Sequence, residues 1–178
     1  MTFLDPVTGT ETEISTSVPS DYGMAWDPVG QRLVIPSFAE DRIRALDVTS
    51  GVATVIAGSG TQGFSGDGGP ATAANLHDPE GVTVDASGNI YFADVRNHRV
   101  RRIDTSGVIT TIAGNGVQGF EGDGGPALQA RLDTPRDVTR GPAGELIISD
   151  SANDRVRIVD AAGDIFTVVG GGASLGDG

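Results

Sequence analysis

The sequence predicts an all-β protein of the β-propeller class, and three observations support this prediction. Residues 58–104 recur as 114–160 at a spacing of 56, and 11 of the 14 residues in 58–71 are identical in 114–127. Each copy contains four short runs rich in Val, Ile, Thr, Tyr and Phe and bounded by Gly, Asn, Asp and Pro, which is typical of antiparallel strands. A four-stranded unit cannot bury both of its faces alone, whereas similar sheets packed radially around an axis can.

The repeat predicts a single propeller domain over residues 1–178, with about three full four-stranded blades plus two strands of another. The predicted boundaries, in chain order, are a partial blade at 1–17, a blade at 18–57, a loop and blade at 58–113, a loop and blade at 114–169, and the start of the next loop at 170–178. One stretch in each copy, 70–76 and 126–132, predicts a helix of at most two turns. The reason is that Pro suits a first helical position and Ala has the highest helix propensity.

Two motifs recur in both copies. The first is Asp94-x-x-Asn97-His98-Arg99, which returns as Asp150-x-x-Asn153-Asp154-Arg155, and the second is the Gly-Asp-Gly-Gly-Pro-Ala that ends each Gly-rich loop. Together they resemble NHL repeats of the bacterial type. The resemblance implies a propeller, most often of six blades, that usually acts as a binding platform and that in some relatives is an enzyme.

The recurring hairpin motif predicts a structural role, because a functional site in a propeller is expected to break the repeat. Asp94 and Asn97 flank the turn of one hairpin, and Asp150 and Asn153 flank the turn of the next. We expect a charge-assisted hydrogen bond from Arg99 to Asp94, and from Arg155 to Asp150, to fix each hairpin.

Composition and charge exclude some classes of partner. The chain has a net charge of −12, and its 12 positive charges are all Arg, so its surface is a poor match for the phosphates of nucleic acid. The absence of Cys excludes disulfides and thiol chemistry. No apolar run is long enough to predict membrane insertion, and no signal peptide is present in this chain. The interpretation favours an extracytoplasmic or secreted location.

The Gly-rich loops contain a pattern that formally matches the dinucleotide-binding fingerprint. Gly58, Gly60 and Gly63 have the required spacing and follow a strand. The pattern opens no helix and lies in no parallel βαβ unit, so we expect a crossover loop and no dinucleotide cofactor. Phe64 and Phe120 are expected to fill the gap between blades.

Asp67 and Asp123 are the candidate metal ligands, because a carboxylate in each Gly-rich loop could bind Ca²⁺. Calcium needs roughly six to eight oxygen ligands, so one Asp in each loop is too few unless loops converge. The favoured interpretation is that each Asp accepts hydrogen bonds from backbone N–H groups of its own turn. His77 and His98 form no pair with the spacing of a metal site.

No catalytic residue is predicted. The strands nearest the axis, expected at 24–27, 82–85 and 138–141, offer no convergent acid and base, and no nucleophile motif is visible. The predicted function is non-catalytic binding or scaffolding for a protein or small ligand. One alternative is part of a six-bladed enzyme of lyase or lactonase type, with its site in blades that this chain lacks. Another is a self-assembling module that forms rings or filaments, as a homo-oligomer or with the remainder of a longer propeller.

Residues that interrupt the repeat are the candidates for ligand binding. Partners of propellers generally dock on the loop-bearing faces or at the mouth of the channel. The non-repeating aromatic and basic residues expected there are Tyr22, Trp26, Arg96, Arg136 and Arg140.

Overall fold

The computed structural model describes residues 2–4, 11–13 and 23–170, and in these residues the chain is all-β. Strands β1 (Thr2–Leu4) and β2 (Glu11–Glu13) form an antiparallel pair. Blade 1 contains β3 (Ala25–Asp27), β4 (Arg32–Ser37), β5 (Arg42–Asp47) and β6 (Ala53–Ala57). Blade 2 contains β7 (Pro79–Val84), β8 (Ile90–Asp94), β9 (Arg99–Ile103) and β10 (Ile109–Ala113). Blade 3 contains β12 (Pro135–Arg140), β13 (Leu146–Asp150), β14 (Arg155–Val159) and β15 (Asp164–Gly170).

Each blade is a four-stranded antiparallel meander in which sequential strands are neighbours. A short strand, β11 (Gly125–Pro126), pairs with the outer side of β15. The predicted all-β propeller with about three full blades and two strands of another is confirmed. The first strands of the blades lie nearest the axis, since β7 contacts both β3 and β12.

The core lies between blades and repeats with the sequence. Val34, Ile43 and Ala57 of blade 1 pack against a layer of blade 2 that includes Leu76 and Phe92. Residues of blade 2 pack in the same way against blade 3; these are Tyr91, Val100 and Ala113. Blade 2 therefore buries one face against blade 1 and the other against blade 3.

Each Gly-rich loop lies along the outer edge of the blade that follows it. Gly68 N donates to Ile109 O at 2.8 Å, and Ile109 N donates to Gly69 O at 3.0 Å, so the loop adds backbone hydrogen bonds to β10. In blade 3 this edge pairing forms β11. An outer strand covered in this way does not present a free edge to other chains.

The helices predicted at 70–76 and 126–132, of at most two turns, are shorter than these stretches. Each is a three-residue 3₁₀ turn, at Ala71–Ala73 and at Ala127–Gln129. The chain is already extended at Ala74, because the following residues bridge back to the loop through Gln62 and Leu76. Further 3₁₀ turns lie at Phe38–Glu40, Val95–Asn97 and Ser151–Asn153.

The inner strands give the described propeller two distinct faces. At the entry face, the chain enters the inner strands at Pro79 and Pro135, beside the 3₁₀ turns that follow β8 and β13. At the turn face lie the tight turns that join β3 to β4, β5 to β6, β7 to β8 and β9 to β10.

Candidate functional site

A fully buried arginine organises each Gly-rich loop. Arg101 on β9 donates through Nη2 to the carbonyl of Ser65 and to Asp67 Oδ1, both at 2.8 Å. Its Nη1 donates to the carbonyl of Asn75 at 3.1 Å and to Asp94 Oδ2 at 3.3 Å. One guanidinium therefore joins the loop to two strands of the blade.

The same arrangement recurs in blade 3 around Arg157, which is also fully buried. Its Nη2 donates to Asp123 Oδ1 at 2.7 Å, and its Nη1 lies 3.7 Å from Asp150 Oδ2. Sequence reasoning missed both arginines. Their signal was present, because Arg101 and Arg157 are identical residues at the repeat spacing within predicted strands.

The predicted pairing of Arg99 with Asp94 is corrected by these contacts. The arginine bound to Asp94 is Arg101, whereas Arg99 donates to the carbonyls of Asn97 and Asn115 at 2.9 and 2.8 Å. Arg99 also stacks 3.6 Å above the ring centre of Phe64. Arg155 is placed in the same way in blade 3. Its guanidinium lies 3.7 Å from the ring centre of Phe120 and donates to the carbonyl of Asn153. Asp150 lies next to Arg157 instead.

These stacks also correct the expected position of the two phenylalanines. Phe64 is 41% exposed and Phe120 is 40% exposed. Each lies on the outer loop of its own blade against two arginines of that blade, so neither fills a gap between blades.

Asp67 and Asp123 do not cap their own turns, which corrects the favoured interpretation. Asp67 Oδ2 accepts hydrogen bonds from the backbone N and Oγ1 of Thr111, at 3.1 and 2.6 Å, and Oδ1 accepts from Arg101. At Asp123, burial raises the pKa, but hydrogen bonds from Thr167 and Arg157 outweigh it and hold the pKa below its usual value. Calcium binding at these two carboxylates stays a prediction, and it would have to replace these bonds.

The Asn-His motif joins neighbouring elements. Asn97 Nδ2 donates to the carbonyl of Gly63 at 2.8 Å, and Asn153 Nδ2 donates to that of Gly119 at 2.9 Å. His98 adopts a left-handed conformation, with φ of 52°, and its Nδ1 accepts the backbone N–H of Thr134 at 3.2 Å across the blade boundary. Burial lowers the pKa of His98, although the nearby Asp133 opposes the shift. The two asparagines therefore hold the Gly-rich loops, and His98 joins blade 2 to blade 3.

Two of the predicted ligand-binding residues meet in a charged cluster at the entry face. Arg136 Nη1 donates to both carboxylate oxygens of Glu80, at 3.1 and 3.2 Å, across the boundary between blades 2 and 3. Arg96 Nε donates to Asp78 Oδ2 at 3.1 Å. Burial raises the pKa of Glu80, and the Arg136 guanidinium opposes part of that rise. We call Asp78, Glu80, Arg96, Arg136 and Asp137 the entry cluster.

The entry cluster borders a cleft of about 300 Å³, lined by Gly23, Glu80, Gly81, Arg136 and Asp137. Its arginine side chains are accessible, with exposed fractions of 50% for Arg136 and 60% for Arg96. The arrangement presents both charge signs beside the inner strands. It therefore suits recognition of a polar surface.

The other predicted ligand-binding residues do not join the entry cluster. Trp26 is 37% exposed on β3, near the turn that leads to β4. Arg140 lies at the turn end of β12, with its guanidinium 5.2 Å from the ring centre of Tyr91. Tyr22 lies outside the described residues. The structure therefore places Trp26 and Arg140 toward the face opposite to Arg96 and Arg136.

The described residues contain no group of three or more His, Cys, Asp or Glu side chains placed to hold a metal ion. Within the same part of the chain, no helix is long and apolar enough to cross a membrane.

Comparison with known proteins identifies the family. The sequence model of the teneurin NHL domain matches residues 5–121. The chain belongs to the teneurin NHL domain family. Chicken (Gallus gallus) teneurin-1 is 35% identical over 175 residues, an alignment that covers 84% of this chain and 6% of that protein. This chain thus spans only a small part of the teneurins that it matches, and the NHL assignment made from the repeat motifs is confirmed.

Solved structures agree on the fold. A Bacteroides thetaiotaomicron protein of unknown function superposes with a TM-score of 0.71 at 23% identity, covering 85% of this chain and 39% of that one. An auxiliary nutrient binding protein from Bacteroides ovatus superposes with a TM-score of 0.69 at 25% identity, covering 94% of this chain and 43% of that one. Such likeness supports the NHL propeller architecture.

Proposed function

We propose that this chain is a non-catalytic binding module of the teneurin NHL family, and that it docks a protein partner through the entry cluster. The observation that carries the proposal is that the repeat breaks at this place. Position 80 of blade 2 is Glu where the equivalent position 136 of blade 3 is Arg, and Gly81 corresponds to Asp137. Tyr22 aligns with the same position in the sequence of blade 1.

Charged residues that recur at the repeat spacing elsewhere form contacts within the blades. The non-repeating charges at the entry face are therefore the candidates for binding. Arg101 and Arg157 are buried and bound to their own loops, and Asp67 is bound to Arg101 and Thr111. In contrast, Arg96 occupies a position that is Ala152 in the next blade, and most of its side chain is exposed. Side chains that a fold does not need, and that remain accessible, are available for recognition.

Mixed charge at the entry face favours a folded protein or peptide as the partner. Arg136 uses only Nη1 for Glu80, so its remaining donors can reach an acceptor on a partner. Asp137 supplies a carboxylate on the same strand. Complementary charges of this kind set the orientation of a partner and the rate of its association.

The test begins with capture of the partner at the site itself. A photoreactive benzoylphenylalanine placed at Ala152, an exposed residue of the 3₁₀ turn of blade 3 at the entry face, should crosslink one defined protein in the source cells. The purified partner is then titrated against Arg96→Ala and Arg136→Gln, and each should weaken binding by about tenfold, as expected for residues central to an interface. Thermal unfolding should stay unchanged for Arg96→Ala, because exposed ion pairs contribute only about 0–1 kcal/mol. Arg136→Gln should also unfold at the same temperature, because the glutamine amide keeps a donor for the buried Glu80.

Arg131→Ala is the matched control, because Arg131 is also a partly exposed arginine in a surface ion pair, with Glu121 at 3.0 Å on an outer loop. It should leave the affinity unchanged. Equal affinity for all variants, or an equal loss with Arg131→Ala, would contradict docking at the entry cluster.

The extracytoplasmic or secreted location inferred from the sequence stays a prediction, and cell fractionation of the source organism tests it. The enzyme alternative also stays a hypothesis, since it assigns catalysis to blades outside this chain.

A further inference from the structure

A groove separates blades 1 and 2 at the turn face, on the opposite side of the described propeller from the entry cluster. It consists of two adjoining cavities of about 420 and 480 Å³ that share Gly30 and Arg32. The first cavity extends to the turn between β9 and β10, at residues 104–107, and the second extends along β5 and β6. These volumes are typical of sites for small ligands.

The groove exists because the repeat is broken at two positions. Ala45 lines it on blade 1, whereas the equivalent residue of blade 2, on the face toward blade 3, is Arg102. Thr72 lines it from the 3₁₀ turn, whereas the equivalent residue in the next copy is Leu128. Small side chains therefore leave space between blades 1 and 2 where the next pair of blades carries larger ones.

The wall of the first cavity is more apolar than polar, whereas the second cavity is lined mostly by polar groups. Strands of both blades contribute aliphatic side chains, namely Val55, Ile56, Ile90 and Ile103. Val29, on the turn between β3 and β4, is 59% exposed at the rim. Ile90 and Ile103 are buried at the base of the wall, so Val29, Val55 and Ile56 supply the accessible apolar surface. An aliphatic ligand that covers these three side chains would be favoured, because contact removes apolar surface from water.

One fixed cation faces the groove. Arg32 Nε donates to Asp27 Oδ2 at 2.9 Å, and Asp27 is buried and also accepts the backbone N–H groups of Val29 and Gly30. Gly30 is required for this arrangement, because a Cβ there would lie 2.5 Å from Asp27 Oδ2 and 2.6 Å from Arg32 Nε. Among the described residues, the two Nη groups of Arg32 have no hydrogen-bond partner, so a ligand carboxylate can take both.

Besides Asp27, a second carboxylate, that of Asp104 on blade 2, lines the first cavity. Asp104 Oδ1 accepts the backbone N–H groups of Ser106 and Val108, at 2.9 and 3.0 Å, which leaves Oδ2 open to a cationic group. Hydrogen bonds from Ser106 and Val108 hold the pKa of Asp104 below its usual range, so this carboxylate is ionised at neutral pH. The groove thus offers the two Nη groups of Arg32, the carboxylate of Asp104 and an apolar wall in the first cavity, and a further carboxylate, Asp47, in the second.

We propose that this groove binds a short aliphatic peptide with free termini. Its carboxylate pairs with Arg32, its ammonium group pairs with Asp104, and its side chains contact the wall formed by Val29, Val55 and Ile56. Neither a simple organic anion nor a simple organic cation would use both charges. The groove shares no residue with the entry cluster, so this proposal does not depend on the protein docking proposed above.

Calorimetric titration with three related probes tests the charge pattern. Leucyl-leucine with free termini should bind, and N-acetyl-leucyl-leucine and leucyl-leucinamide should each bind about tenfold or more weakly, because each loses one charge-assisted contact. Absence of binding by leucyl-leucine, or equal binding by all three probes, would overturn the proposal.

Variants taken from the repeat locate the binding. Ala45→Arg combined with Thr72→Leu gives this groove the residues of the next blade pair and should abolish binding. Arg102→Ala combined with Leu128→Thr makes the reverse changes between blades 2 and 3 and should leave binding at the first groove intact. Thermal unfolding checks that both variants fold, and Arg32→Gln supplies a further variant that keeps a donor for Asp27. Undiminished binding by the filled variant and by Arg32→Gln would show that the peptide binds elsewhere.

Discussion

Arg101 illustrates how a single residue holds a blade together. Its guanidinium has no exposed surface and makes four hydrogen bonds, two of them to carboxylates. A buried charge is tolerated only when it is paired, and the Gly-rich loop supplies most of the acceptors for the two Nη groups. The buried Nε has no hydrogen-bond partner among the described residues. Loop and strand therefore depend on each other through this side chain.

Arg101→Met should lower the free energy of unfolding by about 3–5 kcal/mol, since removal of one partner leaves Asp94 buried without its counter-charge. Denaturant titration measures the loss. Arg99→Met is the control on the same strand face, and it should cost only about 0.5–2 kcal/mol, the value of a partly exposed stack on an aromatic ring. Equal losses for the two variants would refute the special role of Arg101.

Asp94 makes stability depend on pH. Burial raises the pKa of Asp94 to about 6, although hydrogen bonds from Asn97 and the backbone of His77 oppose the rise. In the unfolded chain the value is 3.8. Because the folded state holds the proton more tightly, the contribution of this group is fully present below the unfolded pKa and is lost as pH rises through about 6.

The difference in melting temperature between the natural chain and Asp94→Asn should therefore change between pH 4 and pH 6.5. The melting temperature of the natural chain should fall relative to that of the variant as pH rises. The Asn side chain keeps an acceptor for the backbone N–H of His77. A difference that stays constant across this range would show that Asp94 does not titrate there.

Sequence reasoning identified the carboxylates of the hairpin motif but chose the wrong arginine. Arg99 and Arg101 are two positions apart on one strand, so both side chains point to the same face of the sheet. Which of them meets Asp94 depends on the Gly-rich loop that covers the strand, with Ser65 and Asn75 on either side of Arg101. That contact spans more than 25 residues and carries no local signal.

At the scale of elements, the Gly-rich loop pairs with the outer strand of blade 2 and of blade 3, as an additional edge segment. It combines backbone bonds to β10 with the Asp67 carboxylate, which holds both Arg101 and Thr111. Four-stranded blades were predictable because their strand patterns and turns are local. The edge pairing was not predictable, because Gly-rich sequence also suits an unpaired loop. The helices are shorter than predicted because the residues after Ala73 bridge back to the loop.

Asp67→Ala should weaken this edge pairing in blade 2 alone. Amide hydrogen exchange in residues 107–113 should become faster, because the N–H of Ile109 depends on the loop for its acceptor. The corresponding residues 163–169 of blade 3, which rely on Asp123, serve as the internal control. Unchanged exchange in 107–113 would show that the backbone bonds hold the loop without the carboxylate.

At the scale of the whole described structure, residues 23–170, blade 3 presents an apolar face whose equivalent in blade 2 is buried. Tyr91, Val100 and Ala113 of blade 2 are covered by blade 3. The corresponding residues of blade 3 are Ile147, Val156 and Val169, and among them Val169 is 63% exposed. Exposed apolar surface of this kind favours association, which agrees with the self-assembly hypothesis.

A protein consisting of residues 1–178 should therefore self-associate, and Val169→Glu should reduce its mass in light scattering. Val52→Glu is the control, since Val52 is also an exposed valine, 56% accessible, but lies on a turn of blade 1. A monomeric natural chain, or equal effects of the two variants, would contradict association through the face of blade 3.

The repeat thus made the architecture predictable, whereas the sites depend on where the repeat fails. Arg96 and Arg136 could be chosen from the sequence as non-repeating residues, and the structure places both in the entry cluster. Glu80 was missed because its partner lies in another blade. The groove at Arg32 was also missed, because it arises from small residues at positions far apart in sequence, such as Ala45 and Thr72.

The most direct test of the binding-module account is a hydrogen-exchange footprint of the natural chain with the partner captured through position 152. The account predicts slower exchange in segments 78–81, 95–98 and 135–138, which surround the entry cluster, and no change at the turns of the opposite face. Protection confined to the turn face or to the outer Gly-rich loops would contradict the account.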